Sequence, residues 1–240
     1  MGIPLVTPIW RGLAGMGNSL PAVWANTKPL YRSGAPQAAL ARVIERADLP
    51  LPAALAPTQL ACVGVGAADL ATIRTLVAAY NRSNGMNLVS MYALISAPDE
   101  DQAPEADAQC APYWPQLPPL MARSAITDDT WSMVRQVNAY GAPGIDANVA
   151  TLWRHLAYWP GFLALAHAAL AAQHSCGAIS LATEQVVALA RQEGACLAHL
   201  RLARIEISRV ARDTIAGYVT TPTQVVRMVT VGHALAKWLA

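Results

Sequence analysis

Arg74-Thr-Leu-Val-Ala-Ala-Tyr80 is matched in spacing and character, far along the chain, by Arg212-Asp-Thr-Ile-Ala-Gly-Tyr218. A second echo precedes each of these segments. Trp24 and Trp131 are each followed, ten residues on, by Gly-Ala-Pro, at Gly34-Ala35-Pro36 and Gly141-Ala142-Pro143. Two echoes in the same order point to an internal duplication. The second copy has gained about thirty residues between them, since the two offsets differ.

The repeated unit is helical. Ile73, Leu76, Val77 and Tyr80 recur at three- and four-residue spacing, and so do Leu152, Leu156 and Trp159, the period of one helix face. Pro160 suits a helix first turn. Thr183-Glu-Gln is expected to open another helix toward Gly194. Two more are expected over Leu200–Val219 and from Thr223 onward, with Thr221 or Thr223 as a cap. Ala and Leu dominate the 54% apolar fraction, Phe occurs once, and no convincing strand is found. The expected fold is all-α, with two pseudo-symmetric repeats at residues 1–96 and 120–240.

Residues 97–119 hold six prolines, five acids and no base. Proline denies them a helix interior and the like charges repel, so they read as an exposed linker. Without them the chain is a modestly basic body of about +7, against +2 overall.

Composition excludes several functions. There is no Lys/Arg-rich run or RNA-binding aromatic motif, so nucleic acid is not an expected partner. The most apolar run, Phe162–Ala172, is too short to span a bilayer, and the N-terminus does not read as a signal peptide. No membrane association is expected. The four cysteines are scattered without a CxxC, which gives no zinc site and suggests reduced thiols in a cytoplasm. No cofactor or metal is expected, and a homodimer is compatible with the reading.

Three constellations stand out. The first is Tyr80-Asn81-Arg-Ser-Asn84-Gly-Met-Asn87-Leu88. Asn84 and Asn87 are three apart, and their amides could orient a carboxylate or leaving group. Alternatively, Asn84-Gly85 is a turn and Asn87 a cap. The second runs from Gly144 to Pro160 and gathers Asp146, Asn148, Thr151, Arg154 and His155. Asp146 could act as a general base and Arg154 as a carboxylate anchor. In the plainer reading Asp146 or Asn148 caps a helix, and Arg154 and His155 face water. The third is Glu193, Cys196 and His199, a thiol–imidazole arrangement or simply a buried cysteine.

Ala79-Tyr-Asn-Arg-Ser-Asn-Gly-Met-Asn-Leu88 through Tyr92-Ala-Leu-Ile-Ser96 resembles the first-repeat motif of the group I 2-haloacid dehalogenases. Leu156-Ala-Tyr-Trp-Pro-Gly-Phe-Leu163 resembles their second-repeat Ala-x-Trp-Pro segment. The resemblance implies an all-α, two-repeat fold related to the alkylhydroperoxidase D-like helical proteins. It also implies a cytoplasmic hydrolase of carbon–halide bonds acting on a small organic acid. In that family a buried Asp activates water, which displaces halide from C2 without a covalent ester.

Carried over by position, Asn84 falls on the active-site Asn and Tyr218 on a pocket Tyr. Asn87 falls where characterised members often place a Tyr. The pocket aromatics fall near Ala38 and Ala41. The catalytic Asp, eight residues before Pro160 and preceded by a Ser, falls on Leu152, preceded by Thr151. The expected catalytic pair is therefore Asn84 with Asp146, the nearest carboxylate. Asn87, Asn148, Thr151, Arg154, Tyr218 and Tyr80 are the expected substrate contacts. Loss of the Asp also leaves open a non-catalytic small-acid-binding or interaction protein, and, more remotely, a thiol peroxidase using Cys196.

Overall fold

The computed structural model describes residues 4–97, 115–142, 148–201, 206–220 and 224–240. Among these, the regular structure is entirely helical. Helices α1 (Pro8–Ala14), α2 (Ser19–Ser33), α3 (Ala35–Arg46), α4 (Pro57–Cys62) and α5 (Ala67–Ile95) precede residues 98–114. Helices α6 (Asp128–Ala139), α7 (Thr151–Leu156), α8 (Pro160–Ser175), α9 (Ala178–Leu197), α10 (Arg209–Thr220) and α11 (Gln224–Trp238) follow them.

The axis of the molecule is α5, 29 residues long and buried on nearly all sides from Tyr80 to Leu94. Polar side chains within this stretch are hydrogen-bonded to neighbouring elements, as burial requires: Asn81 donates to the Gly232 carbonyl and Asn87 to Thr7. Helices α9 and α11 pack most extensively against α5, α3 packs on both α5 and α9, and α2, α7 and α10 also touch α5. Asn84-Gly85 is therefore mid-helix, not the turn that its dipeptide suggests. Two large apolar cores result. One joins Leu30, Val43 and Met91 to Val186, Ile215 and Val229. The other joins Ile73 and Val77 to Trp153, Phe162 and Leu235. Each draws on residues from both sides of residues 98–114.

Gly34 and Gly141, the first residues of the two Gly-Ala-Pro echoes, both adopt left-handed backbone (φ 73° and 72°). Only glycine takes this conformation without steric cost. It ends α2 at Ser33, and it follows the end of α6 by two residues. Pro160 starts α8 as expected. By contrast α9 starts at Ala178, after left-handed Gly177, so Thr183 lies inside it and its hydroxyl donates to the Ile179 carbonyl. Helix α10 begins at Arg209, well after Leu200. Asp146, Thr221 and Thr223 lie outside the described residues.

Arginines close three helix ends. The last carbonyls of a helix lack intrahelical donors and carry partial negative charge. Arg201 donates to Leu94 (2.6 Å) at the end of α5. Arg74 Nε donates to Leu239 (2.7 Å) just beyond α11. Arg227, 1% exposed, donates to Asn138 (2.7 Å) and Tyr140 (3.1 Å) at the end of α6. These bonds tie distant segments together, as does Trp159 Nε1 donating to Asp69 Oδ1 (2.9 Å) in the first turn of α5. No single helix among the described residues is long and apolar enough to cross a membrane.

Candidate functional site

A cavity of about 170 Å³ lies where α5, the first turn of α7, α10 and α11 meet the start of α1. Tyr80 and Asn84 line it from α5, Thr151 and Leu152 from α7, and Tyr218 from α10; Pro8, Val149, Ala150, Val225 and Met228 complete the wall. Allowing ~30 Å³ per water-sized group, it holds a molecule of roughly six heavy atoms. No carboxylate is among these lining residues.

Burial governs the electrostatics. It pushes the Tyr80 hydroxyl up to about 12, opposed by a hydrogen bond with Thr151 and by the charges of Arg154 and Arg11. It raises Tyr218 as well, opposed by a hydrogen bond with Thr7. Both phenols therefore keep their protons at neutral pH and can act as donors. Tyr80 Oη stands 2.8 Å from His155 Nδ1, and the two rings meet edge-on. His155 is only 4% exposed. Desolvation lowers its basicity most, with a backbone hydrogen bond at Pro118 acting in the opposite direction and Arg154 adding to the lowering. It is thus neutral at pH 7 and does not face water as its plainer sequence reading held.

Of the residues singled out in the sequence, Tyr80, Asn84, Thr151 and Tyr218 come together at this cavity, with Leu152 among them. Asn87 does not line it. Its Oδ1 accepts from Trp10 Nε1 (3.0 Å) and Tyr31 Oη (2.6 Å), and its Nδ2 donates to Thr7 Oγ1 (2.9 Å), bracing an aromatic cluster of Trp10, Trp24 and Tyr31. The Asn148 backbone carbonyl accepts from Asn138 Nδ2 (3.0 Å) ahead of α7. Arg154 donates to the Met121 carbonyl (2.7 Å) and acts on the cavity only through its charge. Ala41 lines a different feature, an open, mostly apolar groove of about 750 Å³ between α3, α5 and α11. That groove is larger and more open, whereas four of the residues singled out in the sequence line the smaller, more enclosed cavity.

The Glu193–Cys196–His199 grouping is not assembled for thiol chemistry. Glu193 is held by Arg42 (2.7 Å) and Arg46 (3.3 Å) of α3, and His199 Nδ1 contacts the Cys196 backbone carbonyl. No group of three or more metal-ligating side chains occurs among the described residues. The sequence reading missed the partnership of Tyr80 with His155. The available signal was helical: His155 lies four residues after Thr151, on the same face of α7.

No family model matches the chain, and no curated protein matches it. Among solved structures, a D-2-haloacid dehalogenase mutant in complex with D-2-CPA is similar. The TM-score is 0.69 at 13% identity, over 98% of this chain and 86% of that one. The chain therefore has a dehalogenase-like helical fold.

Proposed function

We propose that the cavity is a binding site for a small organic acid on a dehalogenase-like scaffold, in which water is activated against the bound acid. One observation carries this reading: Tyr80, Asn84, Thr151 and Tyr218, from both sides of the linker, converge on a single cavity of about 170 Å³. Its capacity of roughly six heavy atoms suits a halogenated three-carbon acid. Hydrogen-bond donors and the charges of Arg11 and Arg154 favour the carboxylate, whereas the aliphatic wall of Leu152, Val225 and Met228 suits the rest of the molecule.

Leu152, 1% exposed, cannot accept a proton from water. That observation favours a second reading, in which the acid is bound without turnover. Thermal unfolding with 2-chloropropionate, propionate and propanol, run beside a chloride-release assay, separates the two. Both readings expect stabilisation by the acids that grows with concentration and disappears in Asn84→Leu. Only the first expects chloride. No stabilisation by any of the three would remove the site assignment altogether.

A further inference from the structure

We propose that Tyr80 and His155 together form the proton acceptor of this cavity, a role that the wall residue Leu152 cannot fill. The inference rests on the cavity being the small-acid site. The geometry is specific. Tyr80 lines the cavity, and its hydroxyl oxygen lies 2.8 Å from a nitrogen of a histidine that does not. Among the described residues lining the cavity, Tyr80 is the one whose side chain contacts the His155 ring nitrogen. Both groups are held in place: Tyr80 by α5, the most buried helix of the molecule, and His155 by α7, one turn beyond Thr151 and Leu152. A buried tyrosine–histidine pair of this kind needs no such alignment for packing alone, since an apolar pair would fill the same space without two polar groups to satisfy.

The step balances with water as the only co-reactant. A water in the cavity attacks C2 of a 2-halo acid. The C–O bond forms as the C–halogen bond breaks, and halide leaves with the bonding pair. The water proton passes to the Tyr80 oxygen while the Tyr80 proton passes to His155 Nδ1. The products are the 2-hydroxy acid, halide and an imidazolium. Burial and Arg154 disfavour that imidazolium, so it returns the proton through Tyr80 to water once product leaves. Tyr80 is the catalytic residue here, and His155 positions it and stores the proton. The charged groups bearing on the pair are Arg154 of α7 and Arg11 of α1; α5 contributes Tyr80 itself.

The test uses the purified chain with 2-chloropropionate, following chloride release from pH 4.5 to 9 and binding by calorimetry. His155→Asn keeps an acceptor near the Nδ1 position but cannot hold the proton. We expect its affinity to stay within about threefold of wild type and kcat to fall about 100-fold or more. The acid limb of the wild-type profile, placed below the ordinary histidine value, should be missing from the residual rate. Tyr80→Phe should lose a similar factor in kcat and covers the case in which His155→Asn does not fold. Wild-type kcat in either variant, or an unchanged acid limb in His155→Asn, overturns the relay. So does wild-type protein that binds the acid and releases no chloride. Loss of binding in wild type itself would instead remove the site reading on which the relay rests.

Discussion

Gly194 of α9 lies directly against Tyr92 of α5: a Cβ placed on residue 194 would stand 2.4 Å from the Tyr92 Cβ and 3.0 Å from the Ala93 backbone nitrogen. These obstacles include backbone, which cannot swing aside as the tip of a side chain can. The contact lies on one of the most extensive shared faces in the molecule, between α9 and α5. Gly194→Ala should therefore destabilise the protein by about 1–3 kcal/mol through overpacking. This outweighs the helix-propensity gain of up to ~1 kcal/mol. Urea denaturation measures it; a stabilised variant would show that α9 can move away from α5 at little cost.

Leu152→Asp buries a carboxylate in the part of the wall formed with Val225 and Met228, where Arg11 and Arg154 act only from outside the lining and desolvation outweighs them. Loss of leucine burial costs about 2–4 kcal/mol, and the buried carboxyl adds a penalty of its own when ionised. Burial raises the folded-state pKa of that carboxyl above its unfolded value of about 4. The added penalty is thus absent below pH ~4 and grows as pH rises through the folded value. The stability gap to wild type should be wider at pH 8 than at pH 5 in parallel denaturation curves. An equal gap at both would place residue 152 in contact with solvent or with a cation.

The helical fold was legible because apolar residues recur at helical spacing and because glycine and proline mark helix ends, as at Gly34 and Pro160. What failed were boundaries inside buried segments. Asn84-Gly85 has the composition of a turn, yet α5 runs straight through it, because helices packed on every side make a local breaker affordable. The candidate cavity was half legible. Tyr80, Asn84, Thr151 and Tyr218 share it, but Asn87 does not. Three residues on from Asn84, it turns to a neighbouring face and meets Trp10 and Tyr31, contacts that depend on where α1 and α2 dock. The burial of His155 likewise follows from α5 covering α7, which no local pattern records.

Arg227 is the most deeply buried charged side chain of α11 and supplies donors to the Asn138 and Tyr140 carbonyls. Arg227→Met fills much of the same volume but leaves the Asn138 and Tyr140 carbonyls without the guanidinium donors. The expected cost is about 2–4 kcal/mol, with accelerated amide exchange concentrated near residues 138–142 of α6 and its exit. Uniform acceleration throughout the protein, with no local excess, would mean that the arginine acts through general packing and not by closing that helix end.

His233 gives the protein an acid-sensitive point on α11. Its pKa is lowered to about 4, chiefly by burial and in smaller part by the positive charge of Lys237, with the Nδ1 hydrogen bond to the Val229 carbonyl (2.7 Å) acting in the opposite direction. Glu45 of α3 and Arg82 of α5 line the same groove. The folded pKa lies below the unfolded value of about 6.5, so the unfolded chain binds more protons between the two. Stability is therefore complete above pH ~6.5 and is lost as pH falls toward 4. By pH 4.5 the loss from this one group is about 2–3 kcal/mol. His233→Gln, which keeps a donor but cannot ionise, should flatten that part of the stability–pH curve without changing its slope near pH 8. A variant whose curve falls as steeply as wild type between pH 6.5 and 4.5 would assign the acid sensitivity to other groups.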